Sequence, residues 1–390
     1  MTDTITPADC VVIGAGITGM AAAAALAEAG ASVIVVERYA PAAMASGWTL
    51  AGVRQSGRHP AELPLVTAAL ETWQTLDERS GIATEYRRDG NLRLARTETE
   101  IATIRALVAD QSRAGLDLRF LDDRSDIRAL APGLSDRVLA ASFCPTDGHA
   151  NPAATVTAFR TLAERNGARI LTGTAVHSVE ITGGRFTALE TAGGRIAAGT
   201  CIIAAGIQVN ALLEPLGLEI PLRRPMVTVV QSVPLPPLLA PVLGVANADM
   251  AARQQADGRL RVTSGAGTWD GTLVEEDGSP AVHPPAMAVA DTVRTVANVL
   301  PAMADAPVAR VWAGLLDLTP DALPVLDQAP GIDNLILGGG FSGHGFGIAP
   351  ASGSVLCDLA LGRVPRFDIQ PFTFERFAGV AADAPLTLHG

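Results

Sequence analysis

The fold class read from this chain is α/β: a dinucleotide-binding domain with an antiparallel-sheet α+β domain inserted into it. Three observations carry that reading. A βαβ unit with a glycine fingerprint opens the sequence, a second strand–glycine–helix element lies near its end, and the stretch between them changes to period-2 strands.

In the opening unit the apolar run Cys10 to Ile13 enters Gly14-Ala15-Gly16-Ile17-Thr18-Gly19. An alanine-rich helix follows to Ala29, Gly30 stops it, and a second apolar run, residues 32–36, ends at Glu37. Gly14 permits the tight turn, Gly16 lets backbone approach a pyrophosphate, and Gly19 lets helix and sheet pack closely, as in a Rossmann-type fingerprint. The pyrophosphate then sits on the helix N-terminus and Glu37 takes the ribose hydroxyls. An acid there, rather than an arginine, argues against a 2′-phosphate.

Residues 45–58 form a loop of small residues punctuated by Arg54 and Arg58, able to lie against a flat ligand. Helical periodicity runs over 62–79 and 98–114, with a strand over 91–95 between them. Residues 145–152 are a turn cluster in which Asn151 caps a helix beginning at Pro152 and running to about Asn166. Strands follow at 169–171 and 175–181, with hairpins at Gly183-Gly184 and Gly193-Gly194, and then a buried parallel-type strand over 200–206 that ends in Ala205 and Gly206. His149 and His177 read as turn and strand residues rather than ligands.

From Pro221 the pattern becomes antiparallel, with strands over 226–233 and 260–263, a turn at Asp257-Gly258 and a helix over 286–300. Residues 308–312 are expected to return to the first domain. The strand 334–338 then enters Gly339-Gly340-Phe341-Ser342-Gly343-His344-Gly345-Phe346-Gly347, with a helix expected from about Pro350 to Leu361. A glycine run clamped between a buried strand and a helix, and holding two phenylalanines and a histidine, reads as a second ligand-facing turn rather than a linker.

Composition bounds the function. A length of 390 residues with 48% hydrophobic content supports two or three domains with large cores, and a net charge of -11 argues against nucleic acid. No apolar run is long enough to span a bilayer, and Met1-Thr2-Asp3-Thr4 lacks a basic start, so a cytoplasmic protein is expected. The four cysteines have no metal or disulfide spacing. All 29 basic residues are arginine, so lysine-dependent chemistry is excluded.

These motifs together resemble the FAD-dependent amine and amino-acid oxidoreductases related to glycine oxidase, monomeric sarcosine oxidase and the flavin-bearing subunits of heteromeric sarcosine and opine oxidases. The resemblance covers nearly the whole length: residues 11–19, the Arg54 loop, 147–152, 202–206, 318–324 and 340–346. It implies a glutathione-reductase-like two-domain flavoprotein, with residues 1–85, 145–215 and 308–390 binding FAD and residues 86–144 and 216–307 covering the substrate. The adenosine ribose would meet Glu37 and Arg38, and the pyrophosphate Gly14 to Gly19 and Ser46. Adenine would be read by the Val176 backbone, and Ala205 and Gly206 would be further cofactor-binding positions. The ring would lie between Ala51, Gly52, Val53 and Arg54 on one side and Gly340 to Phe346 with Ile348 on the other. Hydride would pass from the carbon next to nitrogen of a small amine or amino acid to flavin N5, giving an imine that hydrolyses. Arg54 is the expected carboxylate anchor, with Arg58, Arg223 and Arg224 in reserve.

The departures are as informative as the matches. The lysine that relatives carry after Gly-His-Gly-Phe is Gly347 here, the arginine expected after Trp312-Ala-Gly-Leu315 is Leu316, and only Tyr39 and Tyr86 could replace the tyrosines of D-amino acid oxidases. The cysteine that monomeric sarcosine oxidases link to FAD matches about Gly314, so noncovalent FAD is expected. Without lysine near the ring, a histidine or arginine would have to serve oxygen activation; His344 is the candidate within the flavin loop, where its other role is to hold the loop's shape. A dehydrogenase passing electrons to a quinone, dye or partner subunit is favoured over an oxidase. A 2-hydroxy-acid dehydrogenase and a purely electron-transferring FAD subunit are the alternative readings.

Overall fold

A computed structural model describes residues 5–380; residues 1–4, read above for their lack of a basic start, and residues 381–390 lie outside it. Two eight-stranded sheets organise the chain. The first runs Val325–Gln328, Leu335–Gly339, Gly194–Ile203, Ile5–Ile13, Val33–Val36, Arg169–Leu171, and the meander Val176–Thr182 and Arg185–Thr191 extends it from Gly194–Ile203. Its central pairings are parallel. That arrangement suits runs such as Val33–Val36, buried at every residue, because both faces of the sheet are covered. Helices Ile17–Glu28, Leu63–Ser80, Pro152–Arg165 and Gly345–Ala360 share one hydrophobic core on one face. The meander and the segment around Val209–Leu213 close the other.

The second sheet has the order Val308–Leu315, Met226–Pro234, Arg259–Ser264, Met250–Gln254, Val242–Val245, Asn91–Ala95, Ala140–Cys144, Arg119–Leu121. Its pairings are antiparallel except that of Val242–Val245 with Asn91–Ala95. Helix Ala286–Ala297 packs on one face through Val296 with Leu92, Leu94 and Val230, and the opposite face looks toward the first domain.

Two expectations are corrected. Val308–Leu315 does not rejoin the first sheet; it is the edge strand of the second, in register with Met226–Pro234 from Met226 opposite Leu315 onward. Its partner lies some eighty residues back, and a ladder of that separation leaves no local pattern. The last helix begins at Gly345 rather than at Pro350. Pro350 lies inside the helix and forfeits one backbone bond, and the five residues 345–349 before it, expected outside the helix, are helical. Helix Arg124–Leu130 and strands Ala140–Cys144, Val242–Val245 and Met250–Gln254 were not anticipated; each is too short for periodicity to identify. The four cysteines are buried and unpaired. Among the described residues, no helix is long and apolar enough to cross a membrane.

The first and last helices cross at Gly353, where an added Cβ would fall 2.7 Å from the Ala21 backbone carbon. Gly353→Val should therefore force the two helices apart at a cost of about 1–3 kcal/mol. Scanning calorimetry should record this as a lowered Tm.

Candidate active site

A cavity of ≈ 540 Å³ runs from the first glycine turn to the inner face of the second sheet. At its nucleotide end Gly14 has φ +103 and donates its N–H to Val36 O at 2.9 Å, and a Cβ there would collide with Ala204 O. A Cβ on Gly19 would collide with Gly14 O, which is why helix and loop can touch only through glycine. Helix Ile17–Glu28 has no acid in its first turn, and its N-cap, Gly16, offers no side-chain acceptor. Two side chains attend that end instead. Ser46 Oγ accepts from Ile17 N at 2.9 Å, and the Glu37 carboxylate accepts from Ala15 N at 2.7 Å and Tyr39 N at 2.8 Å. A helix terminus opening on a cavity, flanked by a hydroxyl and by a carboxylate already aimed by backbone donors, fits a dinucleotide pyrophosphate and its ribose.

At the other end two loops face each other, each held with one non-glycine residue in the left-handed region, Ala51 at φ +56 and Ser342 at φ +53. Ser342 Oγ accepts from Thr319 N at 3.2 Å, and Gly52–Val53 pairs antiparallel with Gly148–His149, so both unusual conformations are over-determined by neighbours. The Trp73 indole donates to Gly347 O at 2.8 Å and ties the start of the last helix to Leu63–Ser80.

Charge concentrates at this end. Arg54, Arg58 and Arg93 all line the cavity, with the fully buried carboxylates of Glu62 and Asp147 behind them. Asp147 accepts from Gln55 N at 2.7 Å and Ser56 N at 3.1 Å, which shapes the loop between the two loop arginines. Burial and the neighbouring guanidinium of Arg54 pull Arg58 down to about 10; burial with Arg54 and Arg58 pulls Arg93 down to about 9. Both stay cationic at neutral pH. His344 is buried, and burial with the nearby Arg58 pushes its imidazole down to about 4. Burial pushes Glu62 up, but His344, Arg58 and His59 outweigh it and hold that carboxyl below its ordinary value. His344 Nδ1 stands 3.4 Å from Glu62 Oε2, outside hydrogen-bond geometry, and the ionised carboxylate at that range favours the ring proton on the nitrogen that faces it. Burial pushes Asp317 up to about 6 against the backbone N–H groups of Phe341, Gly340 and Ser342.

Most of the residues singled out from sequence meet in this cavity. Gly14, Gly16, Ile17, Thr18, Glu37, Arg38, Ser46, Gly52, Arg54, Val176, Ala205, Gly206 and the loop from Phe341 to Phe346 line it. Six do not. Ala15 is turned to Glu37, Gly19 lies beneath Gly14, Ala51, Val53 and Ile348 point into the core, and Gly340 rests on Thr319. These are supports of the wall rather than its surface. Arg58 is at the cavity, but Arg223 and Arg224 are not among its lining residues. His344 is there as well, buried, with its imidazole pushed down to about 4.

Sequence reading missed Asn91, Arg93 and Asp317. The signal for Arg93 was present: in Asn-Leu-Arg-Leu-Ala, Leu92 and Leu94 enter the second core, so the alternate residues must face the other way. Val227, Val229 and Met250 of the same sheet give that end an apolar roof.

Comparison with known proteins agrees with this geometry. A D-amino acid dehydrogenase of Cereibacter sphaeroides is 25% identical over 425 residues, covering 94% of this chain and 95% of its own. One of the subunits of the opine oxidase of Rhizobium meliloti is 26% identical over 387 residues, covering 93% and 98%. The crystal structure of L-proline dehydrogenase from P. horikoshii superposes with a TM-score of 0.88 at 24% identity, covering 96% of this chain and 99% of that one, and so shares the fold. The family described as DAO, FAD dependent oxidoreductase, matches residues 9–359. With fingerprint, cavity and second sheet in one continuous arrangement, the chain belongs to the DAO family of FAD-dependent oxidoreductases.

Proposed function

We propose that this enzyme oxidises the C–N bond of an amino acid or secondary amine, such as a proline derivative, an N-alkyl glycine or an opine, with FAD held noncovalently. One observation carries the reading: cationic guanidinium groups gather under an apolar roof beside the two loops that face the ring end of the cavity. That arrangement suits a carboxylate at one end of a small ligand and hydrocarbon at the other. The likeness to a D-amino acid dehydrogenase and to an opine oxidase subunit supports it. None of the four cysteines lines the cavity, which supports noncovalent FAD, and their unpaired state supports a reducing, cytoplasmic compartment.

When bound, FAD accepts the hydride; the chain's own groups place the carbon that gives it. Arg54 anchors the substrate carboxylate. Neutral His344, its proton held toward Glu62, leaves Nε2 as an acceptor for the amine, which must be uncharged to react. A neutral imidazole supplies no positive charge to stabilise superoxide, and the guanidinium groups nearby are engaged by the substrate carboxylate and by Glu62 and Asp147. We therefore favour a dehydrogenase over an oxidase, with a quinone, a dye or a partner subunit as electron acceptor; the likeness to one subunit of an opine oxidase supports a partner.

Anaerobic mixing with a panel of amines, amino acids and 2-hydroxy acids should bleach the flavin only with the nitrogen compounds and yield a carbonyl product with released amine. On admission of air, reoxidation should lag far behind turnover with an artificial acceptor. Bleaching by 2-hydroxy acids alone would transfer the fold to alcohol chemistry, and oxygen reoxidation that keeps pace with turnover, with stoichiometric peroxide, would make it an oxidase.

Gly16→Val should abolish FAD retention, because a branched side chain at the helix terminus fills the phosphate approach. Flavin absorbance per polypeptide after gel filtration measures it, and a fully loaded variant would remove the cofactor from this site. Arg54→Lys should keep FAD yet raise the half-saturating substrate concentration about 10- to 100-fold, the worth of a charge-assisted pair reduced from two bonds to one. Steady-state titration of the best substrate decides it.

A further inference from the structure

Among the described residues, Arg93 is the one buried arginine lining the cavity whose guanidinium makes no hydrogen bond within the chain. It is 8% exposed, and its Nε is buried without a partner. A guanidinium held this far from water and left unbonded costs several kcal/mol, a cost proteins meet with a ligand when they do not meet it with a side chain. The strand alternation aims it: Leu92 and Leu94 go to the core beneath helix Ala286–Ala297, while Asn91 and Arg93 go to the cavity.

Its position is equally specific. Gly57 has φ +72, and a Cβ there would fall 2.7 Å from Arg93 Nη2, so the guanidinium packs directly against that glycine. Arg54 Nη1 stands 3.4 Å from the carbonyl of Ser56, the residue before it. Two forks, one from the loop beside the ring and one from the second sheet, therefore converge on Ser56-Gly57. Of the three arginines here, Glu62 and Asp147 offset two, and Asp317 is turned onto the amides of Gly340 to Ser342.

We infer that Arg93 is a substrate-binding residue that closes a two-sided clamp with Arg54 on a single carboxylate, so that the two domains grip the same end of a monocarboxylate amine. The inference rests on the amine-oxidising reading above and names the half of its anchor that the second domain supplies. A carboxylate in two forks is fixed in plane as well as in place, which orients the carbon beside nitrogen toward the ring end.

The test uses ethers, in which oxygen replaces the amine nitrogen and no imine can form: methoxyacetate and tetrahydrofuran-2-carboxylate, each against its own carboxamide. Binding to the FAD-loaded enzyme is read by perturbation of the flavin spectrum. The wild type should prefer at least one acid to its amide. Arg93→Gln should collapse that acid-to-amide ratio by about 10- to 100-fold, the worth of a charge-assisted contact. Arg93→Lys, which keeps the charge and gives up the fork, should fall between. No preference for either acid in the wild type would overturn the carboxylate reading itself, and the clamp with it. A preference that survives Arg93→Gln would overturn the clamp alone. Should Arg93→Gln not fold or not retain FAD, a wild-type ratio in Arg93→Lys would overturn the clamp and a reduced one would support it.

Discussion

Helix Ile17–Glu28 is buried at ten of its twelve residues, so the N–H groups of its first turn have only the cavity and its neighbours to meet. Its alanines let it sit between the parallel strands and three other helices, and the same closeness forbids a bulky polar cap. What remains is a terminus whose donors point at a cavity, borrowing Ser46 and flanked by Glu37. The placement of the strands, the glycine turn and the crossing at Gly353 all serve that one unsatisfied end. A dianionic group bridging those donors completes the helix as much as the helix binds the group.

The opposite end of the cavity is governed by desolvation. A lysine buried as deeply as Arg93 would risk giving up its proton, whereas a guanidinium pulled down to about 9 still carries its charge. A chain without lysine thus keeps a permanent positive field in a dry place. The same field explains the neutral histidine: with Arg54 and Arg58 at hand, His344 is not protonated at physiological pH, and Glu62 fixes its tautomer rather than its charge.

How legible all this was in the sequence depended on range. The fingerprint, the Asn151 cap and the paired glycine turns are local devices, and the structure places them where their chemistry requires. Val308–Leu315 was misplaced because its ladder partner, Met226–Pro234, is remote in sequence. Ala51, Val53 and Ile348 were assigned to the cavity because motif neighbours are not surface neighbours, and alternate residues of a loop can face the core. Arg93 escaped for the opposite reason. Its strand was recognised, but nothing in five residues says which protein surface the polar alternates will meet.

The four cysteines have a practical side. Burial pushes the thiols of Cys10 and Cys144 up to about 12 and that of Cys357 up to about 11, and raises Cys201 as well. A thiol that stays protonated and shielded is a poor nucleophile toward alkylating reagents. The native chain is therefore silent to maleimide chemistry while folded, and a single cysteine introduced on the exposed edge strand Val308–Leu315 or on the hairpin near Val274 would be its one reactive handle. Dyes or spin labels placed there could report the separation of the two sheets without first stripping the native sulfurs from the core.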